Sequence, residues 1–141
     1  MSSYIPADLR RQVRSDARER CGYCLSPERL LGIALEVEHL VPESAGGETE
    51  RENLWLACRR CNALKADRCS ATDPLTSQIT PLFYPRHGIW NEHFRWSPDG
   101  TRIIGLTPSG RATVDALQLN HPLIVMTREL WVRAGVHPPR D

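Results

Sequence analysis

Four of the five cysteines form two pairs, Cys21-x-x-Cys24 and Cys58-x-x-Cys61. Two thiolates at this spacing on a tight turn can bind the same ion, and two such turns complete a tetrahedral site. The segment between the pairs, residues 25–57, is long enough for two strands and a loop. Disulfides and unpaired buried thiols are the alternatives, and a cytosolic chain disfavours disulfides. We therefore expect a closed, structural Zn²⁺ site whose four thiolate ligands leave no position for substrate.

An acid and a histidine, Glu38 and His39, are adjacent in the segment between the cysteine pairs. Neighbouring side chains of a strand point to opposite faces unless the chain turns. Pro42 and the glycines Gly46 and Gly47 follow, and a bend there would let both side chains reach one pocket. Most acid–histidine pairs are ordinary surface or hydrogen-bonded polar groups. The position between two metal-binding turns favours a functional interpretation of this pair.

The elements that would position these residues follow from the pattern of apolar residues. Residues 7–20 are expected to form a helix with one apolar stripe. Residues 33–41 are rich in Val, Leu and Ile and are expected to form a strand, and residues 53–57 are expected to form a second one. A short helix is expected at 62–68. The predicted order is therefore a helix, two strands joined by a loop, and a second helix.

Residues 21–68 resemble the HNH endonucleases, specifically the zinc-containing branch with a ββα-metal (His-Me finger) core. The resemblance is carried by the two cysteine pairs, Glu38-His39, Pro42 with Gly46-Gly47, Asn53-Leu54 and Cys61-Asn62-x-x-Lys65. It implies an α+β fold: a ββα-metal core held by a zinc site on four cysteines, with an N-terminal helix and a small β-hairpin and helix as a C-terminal extension.

The resemblance also implies roles for single residues. His39 matches the general base that deprotonates the attacking water, and Glu38 matches the preceding metal ligand. Asn53 matches the central asparagine, which braces the loop and helps to orient the base. Asn62 matches the third motif position, a second metal ligand. Relatives more often have Asp or His before the base and His at the third position, so the ligand set here contains only oxygen and favours Mg²⁺ or Mn²⁺.

Positive charge is concentrated late in this segment, although the net charge of the whole chain is only +1. Between Arg51 and Arg68 there are five basic and two acidic residues. Such a surface attracts phosphates, and Arg59, Arg60, Lys65 and Arg68 are the candidates for contacts to nucleic acid. The alternative for each of them is a solvated surface charge.

The remainder of the chain carries no candidate catalytic residue. Residues 70–81 contain Ser, Thr, Asp and Pro and are expected to be a linker between a core at 21–69 and an extension at 82–141. Within the extension, Ser97-Pro98-Asp99-Gly100 is typical of a hairpin turn. The extension resembles the tail of many small bacterial HNH proteins, which implies a bacterial source and no particular activity.

The last element is expected to be a helix that opens at Asn120 and closes at Gly135. Its inner face is predicted to consist of five residues, Leu123, Thr127, Leu130, Trp131 and Ala134. The aromatic residues of the extension lie near arginines and could stack on bases, but aromatic side chains more often anchor a core.

The bulk composition is that of an ordinary small protein, with 141 residues, 40% hydrophobic and 25% charged. No apolar run is long enough to cross a bilayer, and residues 1–20 (the predicted N-terminal helical region) are too charged for a secretory signal. We expect a cytoplasmic chain of one domain, or of a compact core with an appendage, that has no membrane partner.

Two functions of different class follow from the sequence. The first is a metal-dependent endonuclease that hydrolyses phosphodiester bonds in DNA, with structural Zn²⁺ and catalytic Mg²⁺ or Mn²⁺ as cofactors. The second is a zinc-stabilised nucleic-acid-binding module without cleavage activity. The presence of Glu38, His39 and Asn62 together favours the first, because a degenerate module is expected to have lost one of them. RNA in place of DNA stays open as the substrate.

Overall fold

A computed structural model describes residues 4–140 of the chain. The chain divides into two compact units. Within the described range, the first unit comprises residues 4–69 and 84–88, and the second comprises residues 70–83 and 89–140. None of the helices described has the length and apolar character needed to span a bilayer.

The first unit consists of short helices around a two-stranded sheet. Its elements are α1 (Ala7–Asp16), α2 (Glu28–Leu31), β1 (Glu36–His39), β2 (Leu54–Ala57) and α3 (Arg59–Lys65). Strands β1 and β2 are antiparallel, with Glu36 opposite Ala57 and His39 opposite Leu54. Helix α3 begins directly after Cys58, so the strand–strand–helix order expected from the sequence is present. Helices together with small antiparallel strand pairs confirm the α+β class.

The core of the first unit lies between α1 and the sheet. Val13 of α1 and Leu54 and Leu56 of β2 are fully buried. Helix α1 ends at Asp16, earlier than the expected residue 20, because Arg18 and Glu19 have φ values of 55° and 56°. Two consecutive left-handed residues cannot continue a right-handed helix.

Residues 70–81 contain two strands where a linker was expected. Strands β3 (Ser70–Thr72) and β4 (Ile79–Pro81) pair in antiparallel register. The turn between them is organised by the buried carboxylate of Asp73, which accepts hydrogen bonds from the Leu75 amide at 3.0 Å and the Thr76 hydroxyl at 2.9 Å. Serine, threonine and proline therefore mark a structured hairpin here. Whether 20, 69 and 81 separate functional domains stays a prediction.

The second unit also contains a hairpin and three helices. Its remaining elements are α4 (Trp90–His93), β5 (Phe94–Trp96), β6 (Ile103–Gly105), α5 (Pro108–Ala116) and α6 (Pro122–Arg133). The predicted hairpin forms as the antiparallel pair β5–β6. Thr107 caps helix α5 by accepting a hydrogen bond from the Gly110 amide at 3.0 Å.

Helix α6 buries a different face from the predicted one. The buried residues are Val125, Arg128 and Trp131. Leu123 and Leu130 are 69% and 62% exposed and Ala134 is exposed too, so the prediction was wrong for these three residues. The reason is Arg128, whose guanidinium donates hydrogen bonds to the carbonyls of Thr101 and Leu119 and lies over the Trp96 ring. A buried arginine satisfies backbone acceptors that an apolar side chain would leave unpaired.

Candidate active site and metal centre

The four paired cysteines converge in the first unit. All four are buried, and their Sγ atoms lie within 4.8 Å of one another. The Sγ atoms of Cys24 and Cys58 are 3.8 Å apart. A tetrahedral zinc site with Zn–S bonds of about 2.3 Å has sulfur–sulfur edges of about 3.8 Å, whereas a disulfide bond is about 2.05 Å long. The four cysteines are therefore positioned to bind a metal ion.

Local backbone hydrogen bonds orient each cysteine pair towards the four-cysteine cluster. In the first pair, the Leu25 amide donates to the Cys21 carbonyl at 3.0 Å, and Leu25 itself is left-handed with φ 59°. The Gly22 amide donates to the Leu56 carbonyl at 2.9 Å, which fixes this turn against β2. In the second pair, Cys58 caps α3 and its Sγ accepts from the Cys61 amide at 3.4 Å.

The chemistry of the cluster fits a cation of the zinc type. Burial raises the pKa of the Cys21 thiol, because a thiolate loses hydration there. Hydrogen bonds from Cys21, Cys58 and Cys61 lower the pKa of the Cys24 thiol. Four thiolates this close repel one another, and a divalent ion removes that repulsion while accepting soft sulfur ligands. Cys69 is exposed and is not part of the cluster.

A polar cleft is the second feature of the first unit. It is lined by side chains of α1, β1, the loop after β1 and α3. It brings together four residues expected in the site, namely Glu38, His39, Arg59 and Asn62. Four others do not line it, namely Asn53, Arg60, Lys65 and Arg68.

Glu38 is buried at the base of this cleft, with 4% of its surface exposed. Its Oε1 accepts a hydrogen bond from the Tyr23 hydroxyl at 2.8 Å and lies 3.4 Å from the Lys65 ammonium. Among residues 4–140, its other oxygen, Oε2, is buried and has no hydrogen-bond partner. Burial raises the pKa of the Glu38 carboxyl group, and Lys65 and Tyr23 counteract part of that rise. The carboxylate thus has one satisfied oxygen and one free oxygen.

Lys65 lies inside the unit and not on the surface expected for a phosphate contact. Only 3% of the residue is exposed. Its ammonium group donates to the Leu40 carbonyl at 3.3 Å in addition to its ion pair with Glu38. Lys65 follows buried Cys61 by four positions, so both side chains lie on the inner face of α3. Its position suits an electrostatic partner of Glu38.

His39 has one ring nitrogen engaged and one free. Its Nε2 is hydrogen-bonded to the Thr49 hydroxyl at 2.8 Å and lies 3.6 Å from Oε1 of Glu43. In the described part of the chain, Nδ1 has no hydrogen-bond partner. Thr49 and Glu43 were not expected in the site. They lie in the loop between β1 and β2, and no periodic pattern in that loop indicates which side chains turn towards the histidine.

Asn53 is buried beside the same loop and holds it in shape. Its Oδ1 accepts from the Val41 amide at 2.8 Å, and its Nδ2 donates to the carbonyls of Val41 at 3.0 Å and Glu48 at 2.9 Å. Gly47 passes so close that a Cβ there would lie 1.8 Å from the Val41 oxygen. Three hydrogen bonds from one amide therefore set the path of the chain from His39 to β2.

Asn62 is oriented by Glu36, a residue that the sequence did not single out. The Nδ2 of Asn62 donates to Oε1 of Glu36 at 2.9 Å, and Oδ1 has no hydrogen-bond partner among the described residues. Glu36 precedes Glu38 by two positions on β1, and alternation along a strand puts the two on the same face. That spacing is the signal by which Glu36 could have been found.

The arginines expected to contact phosphates differ in their surroundings. Arg59 is 71% exposed in its side chain and its Nε lies 3.8 Å from Oε2 of Glu36. Arg60 is partly buried, and Arg68 is exposed and donates to the Leu64 carbonyl at 2.6 Å. Only Arg59 among them borders the cleft.

Comparison with known proteins identifies the segment that contains this site. Residues 21–68 match the HNH endonuclease family model. No curated protein and no solved structure matches the chain. The matched segment holds both cysteine pairs and also Glu38, His39, Asn53 and Asn62. The resemblance to HNH endonucleases is confirmed for this segment, and it supports a nuclease-type function acting on nucleic acid in general.

Proposed function

We propose that the chain is a metal-dependent endonuclease that hydrolyses phosphodiester bonds in DNA. The observation that carries the proposal is the buried Oε2 of Glu38, which has no hydrogen-bond partner among residues 4–140. Glu38 lines the cleft together with His39 and Asn62. A buried carboxylate oxygen without a partner costs free energy, and a bound cation would satisfy it. This arrangement lies within the segment that matches the HNH endonuclease model.

Glu38 and Asn62 would hold the cation through Oε2 and Oδ1. Both are oxygen donors, which suits Mg²⁺ or Mn²⁺ better than a metal that prefers nitrogen or sulfur. Such an ion neutralises charge on the phosphate and on the leaving oxygen. The hydrogen bond to Glu36 supports this role for Asn62, because it fixes the donor end of the amide and leaves the acceptor end for the cation.

Lys65 and Tyr23 act on Glu38 from the opposite side. They occupy Oε1 and favour the ionised carboxylate, which is the form that binds a cation. Burial by itself would favour the protonated form. We propose that Lys65 serves the site in this way, as the partner of a metal ligand and not as a direct phosphate contact.

His39 is the proposed general base. When its proton is on Nε2, the ring donates to the Thr49 hydroxyl and leaves the lone pair of Nδ1 free to take a proton from water. The resulting imidazolium is then favoured by the Glu43 carboxylate, 3.6 Å from Nε2. Asn53 supports this geometry indirectly, because it braces the loop that carries Glu43 and Thr49.

The four-cysteine cluster is proposed to hold Zn²⁺ for structure alone. Four thiolates complete the coordination of the ion and exclude substrate. Free cysteines in this number fit a reducing compartment such as the cytoplasm.

We propose Arg59, Arg60 and Arg68 as contacts to the phosphates that flank the scissile bond.

Nicking of supercoiled plasmid in Mg²⁺ or Mn²⁺ tests the proposal, with single-stranded RNA as a second substrate. Because one site cuts one strand at a time, we expect nicked circles before linear DNA. His39→Ala is expected to lower the rate about 100-fold or more, while DNA affinity measured by fluorescence anisotropy stays unchanged. The control is His87→Ala, an exposed histidine that stacks on Tyr84 outside the cleft.

Three outcomes would contradict the proposal in different ways. Equal cutting by wild type and His39→Ala removes His39 as the base. Binding of DNA without cutting by the zinc-loaded wild type in either metal supports the nucleic-acid-binding module instead. Cutting of RNA but not of DNA would mean that RNA is the substrate, while the proposed hydrolysis of phosphodiester bonds stays the same.

A further inference from the structure

We infer that Arg10 of helix α1 binds a phosphate of the nucleic-acid backbone at the rim of the cleft; this rests on the proposed function. Arg10 lines the same cleft as Glu38, His39 and Asn62. It lies outside residues 21–68, so the match to the HNH endonuclease model says nothing about it. The inference therefore assigns a substrate-binding role to the N-terminal helix.

The charges in the cleft favour such a contact. Three carboxylates line it, those of Glu36, Glu38 and Glu43, and they repel a phosphate that approaches. Among the residues that the structure describes, the positively charged side chains that line it are those of Arg10 and Arg59. Arg59 already lies 3.8 Å from Glu36, which neutralises part of its charge. Arg10 has no such acidic neighbour within ion-pair distance among the described residues.

The guanidinium group of Arg10 is oriented but not saturated. Its Nε donates to the Ile5 carbonyl at 3.2 Å, and Ile5 is itself buried. In residues 4–140, neither of its terminal nitrogens makes a hydrogen bond or an ion pair. These two nitrogens form the fork that binds two phosphate oxygens together.

Two neighbouring arginines of α1 differ from Arg10 in this respect. Arg11 is paired with Asp8 on the exposed side of the helix, and Arg14 is paired with Glu28. Neither lines the cleft. Of these three arginines, Arg10 is therefore the one whose positive charge is available for an external anion at the cleft.

Equilibrium binding of a short DNA duplex tests this role without requiring cleavage. We compare Arg10→Gln with Arg11→Gln, both in the His39→Ala background and both zinc-loaded, by fluorescence anisotropy at several salt concentrations. Arg10→Gln is expected to weaken binding about 10-fold. It should also reduce the slope of log K against log salt by about 0.9, the value for one lost phosphate contact in duplex DNA. Arg11→Gln should change neither quantity.

Cleavage kinetics of the same changes with His39 intact give a second measure. Arg10→Gln should raise KM with little change in kcat, because a positioning contact to phosphate is made in both the ground state and the transition state. Arg10→Lys should recover part of the salt slope, since it keeps the charge but loses the fork. Thermal unfolding must be the same for all variants.

The outcomes separate this inference from the proposed function. If wild type cuts DNA and Arg10→Gln has unchanged affinity, salt slope and KM, Arg10 is not a phosphate contact and the nuclease proposal stands. If Arg11→Gln loses as much as Arg10→Gln, the effect is the net charge of α1, and the site at Arg10 is refuted. If wild type neither binds nor cuts any nucleic acid tested, both proposals fall.

Discussion

Two opposing effects act on the ionisation of the Glu38 carboxyl group. Burial disfavours its charge, while Lys65 and Tyr23 favour it from one side. The result is a carboxyl group with one oxygen held and one oxygen, Oε2, directed to no protein partner among the described residues. The geometry of this carboxylate suits cation binding, because a bound cation would supply the partner that Oε2 lacks.

Glu36 provides a test at the scale of one residue. Glu36→Ala removes the acceptor that orients the amide of Asn62, the proposed metal ligand. We therefore expect the Mg²⁺ concentration for half-maximal cleavage to rise about 10-fold, the lower end of the effect of losing an outer partner of such a ligand. Glu36→Gln retains an acceptor oxygen for Asn62 and should cost much less. Metal titration of the cleavage rate measures both. Equal effects of the two variants would mean that charge, and not orientation, is what Glu36 provides.

The sequence predicted the residue types of the site better than their contacts. The sequence order identified Glu38, His39 and Asn62, which line the cleft, but it did not identify Glu36 and Glu43, which line it too. The roles of these residues stay predictions. The sequence did not predict that the Lys65 side chain is buried, because lysine is seldom buried and its charge suggested a surface position. Its position four residues after a buried cysteine was the better guide, since both occupy one face of α3.

At the scale of elements, the loop between β1 and β2 depends on close packing at Gly47. Gly47→Ala would put a methyl group 1.8 Å from the Val41 oxygen and 2.8 Å from Nδ2 of Asn53. We expect it to lower the free energy of unfolding by about 2 kcal/mol or more and to reduce cleavage strongly. Urea unfolding of the zinc-loaded protein gives the first quantity.

Gly32→Ala is the matched control for that loop. Gly32 ends α2 with φ 69°, and nothing lies within 4 Å of an added Cβ. Its substitution should cost about 1 kcal/mol from backbone strain alone, with cleavage unaffected. A Gly47→Ala protein as stable and as active as Gly32→Ala would show that the loop tolerates a different path.

Asp16 joins the end of α1 to two other segments of the first unit. It accepts hydrogen bonds from Arg51 and Arg86, and these lower its pKa from 3.8 to about 2. Because the folded-state pKa is the lower one, the stabilisation is present above pH 3.8 and is lost as the pH falls towards 2. Its size is about 1 to 2 kcal/mol after allowance for the half-exposed Arg51.

Asp16→Asn should therefore lower stability by about 1 to 2 kcal/mol. The difference from wild type should be the same at about pH 8 and about pH 5.5, since Asp16 remains ionised at both. Urea unfolding at the two pH values measures it, with metal present. Equal stability of Asp16→Asn and wild type at both pH values would indicate a carboxyl group of ordinary pKa that its arginine partners do not stabilise.

Elements with a period or a strong turn were predictable, and those shaped by buried polar groups were not. The β5–β6 hairpin followed from Ser97-Pro98-Asp99-Gly100. The face of α6 did not, because Arg128 takes a core position by donating to two carbonyls. The β3–β4 hairpin was likewise hidden, because its turn depends on a pairing of Asp73 with Arg111, distant in sequence.

At the scale of the whole molecule, metal binding by the four-cysteine cluster is expected to decide whether the first unit folds. Purified protein should contain about one zinc ion per chain. Cys58→Ser removes one of four ligands and should give zinc-free protein that unfolds or precipitates. Cys69→Ser alters an exposed cysteine outside the cluster and should retain zinc and thermal stability. A well-folded, zinc-free Cys58→Ser protein would refute the structural role.

The division into two units was only partly foreseeable. A boundary after residue 69 was expected from composition, and the first stretch of the first unit ends there. Whether it separates functional domains stays a prediction. The return of residues 84–88 to that unit was not expected. Arg86 explains it, because its guanidinium donates to Asp16 and to the carbonyls of Arg51 and Leu54. Contacts between residues so far apart in sequence leave no local pattern.

Equilibrium binding of Mn²⁺ to the zinc-loaded protein tests the central claim most directly, with free Mn²⁺ followed by electron paramagnetic resonance. The account predicts one site per chain, in addition to the zinc. Asn62→Ala should weaken that site about 10-fold or more, and Asn91→Ala, an exposed asparagine of α4, should leave it unchanged. Binding that is absent in wild type, or that is equally strong in Asn62→Ala, would contradict a catalytic cation held by Glu38 and Asn62.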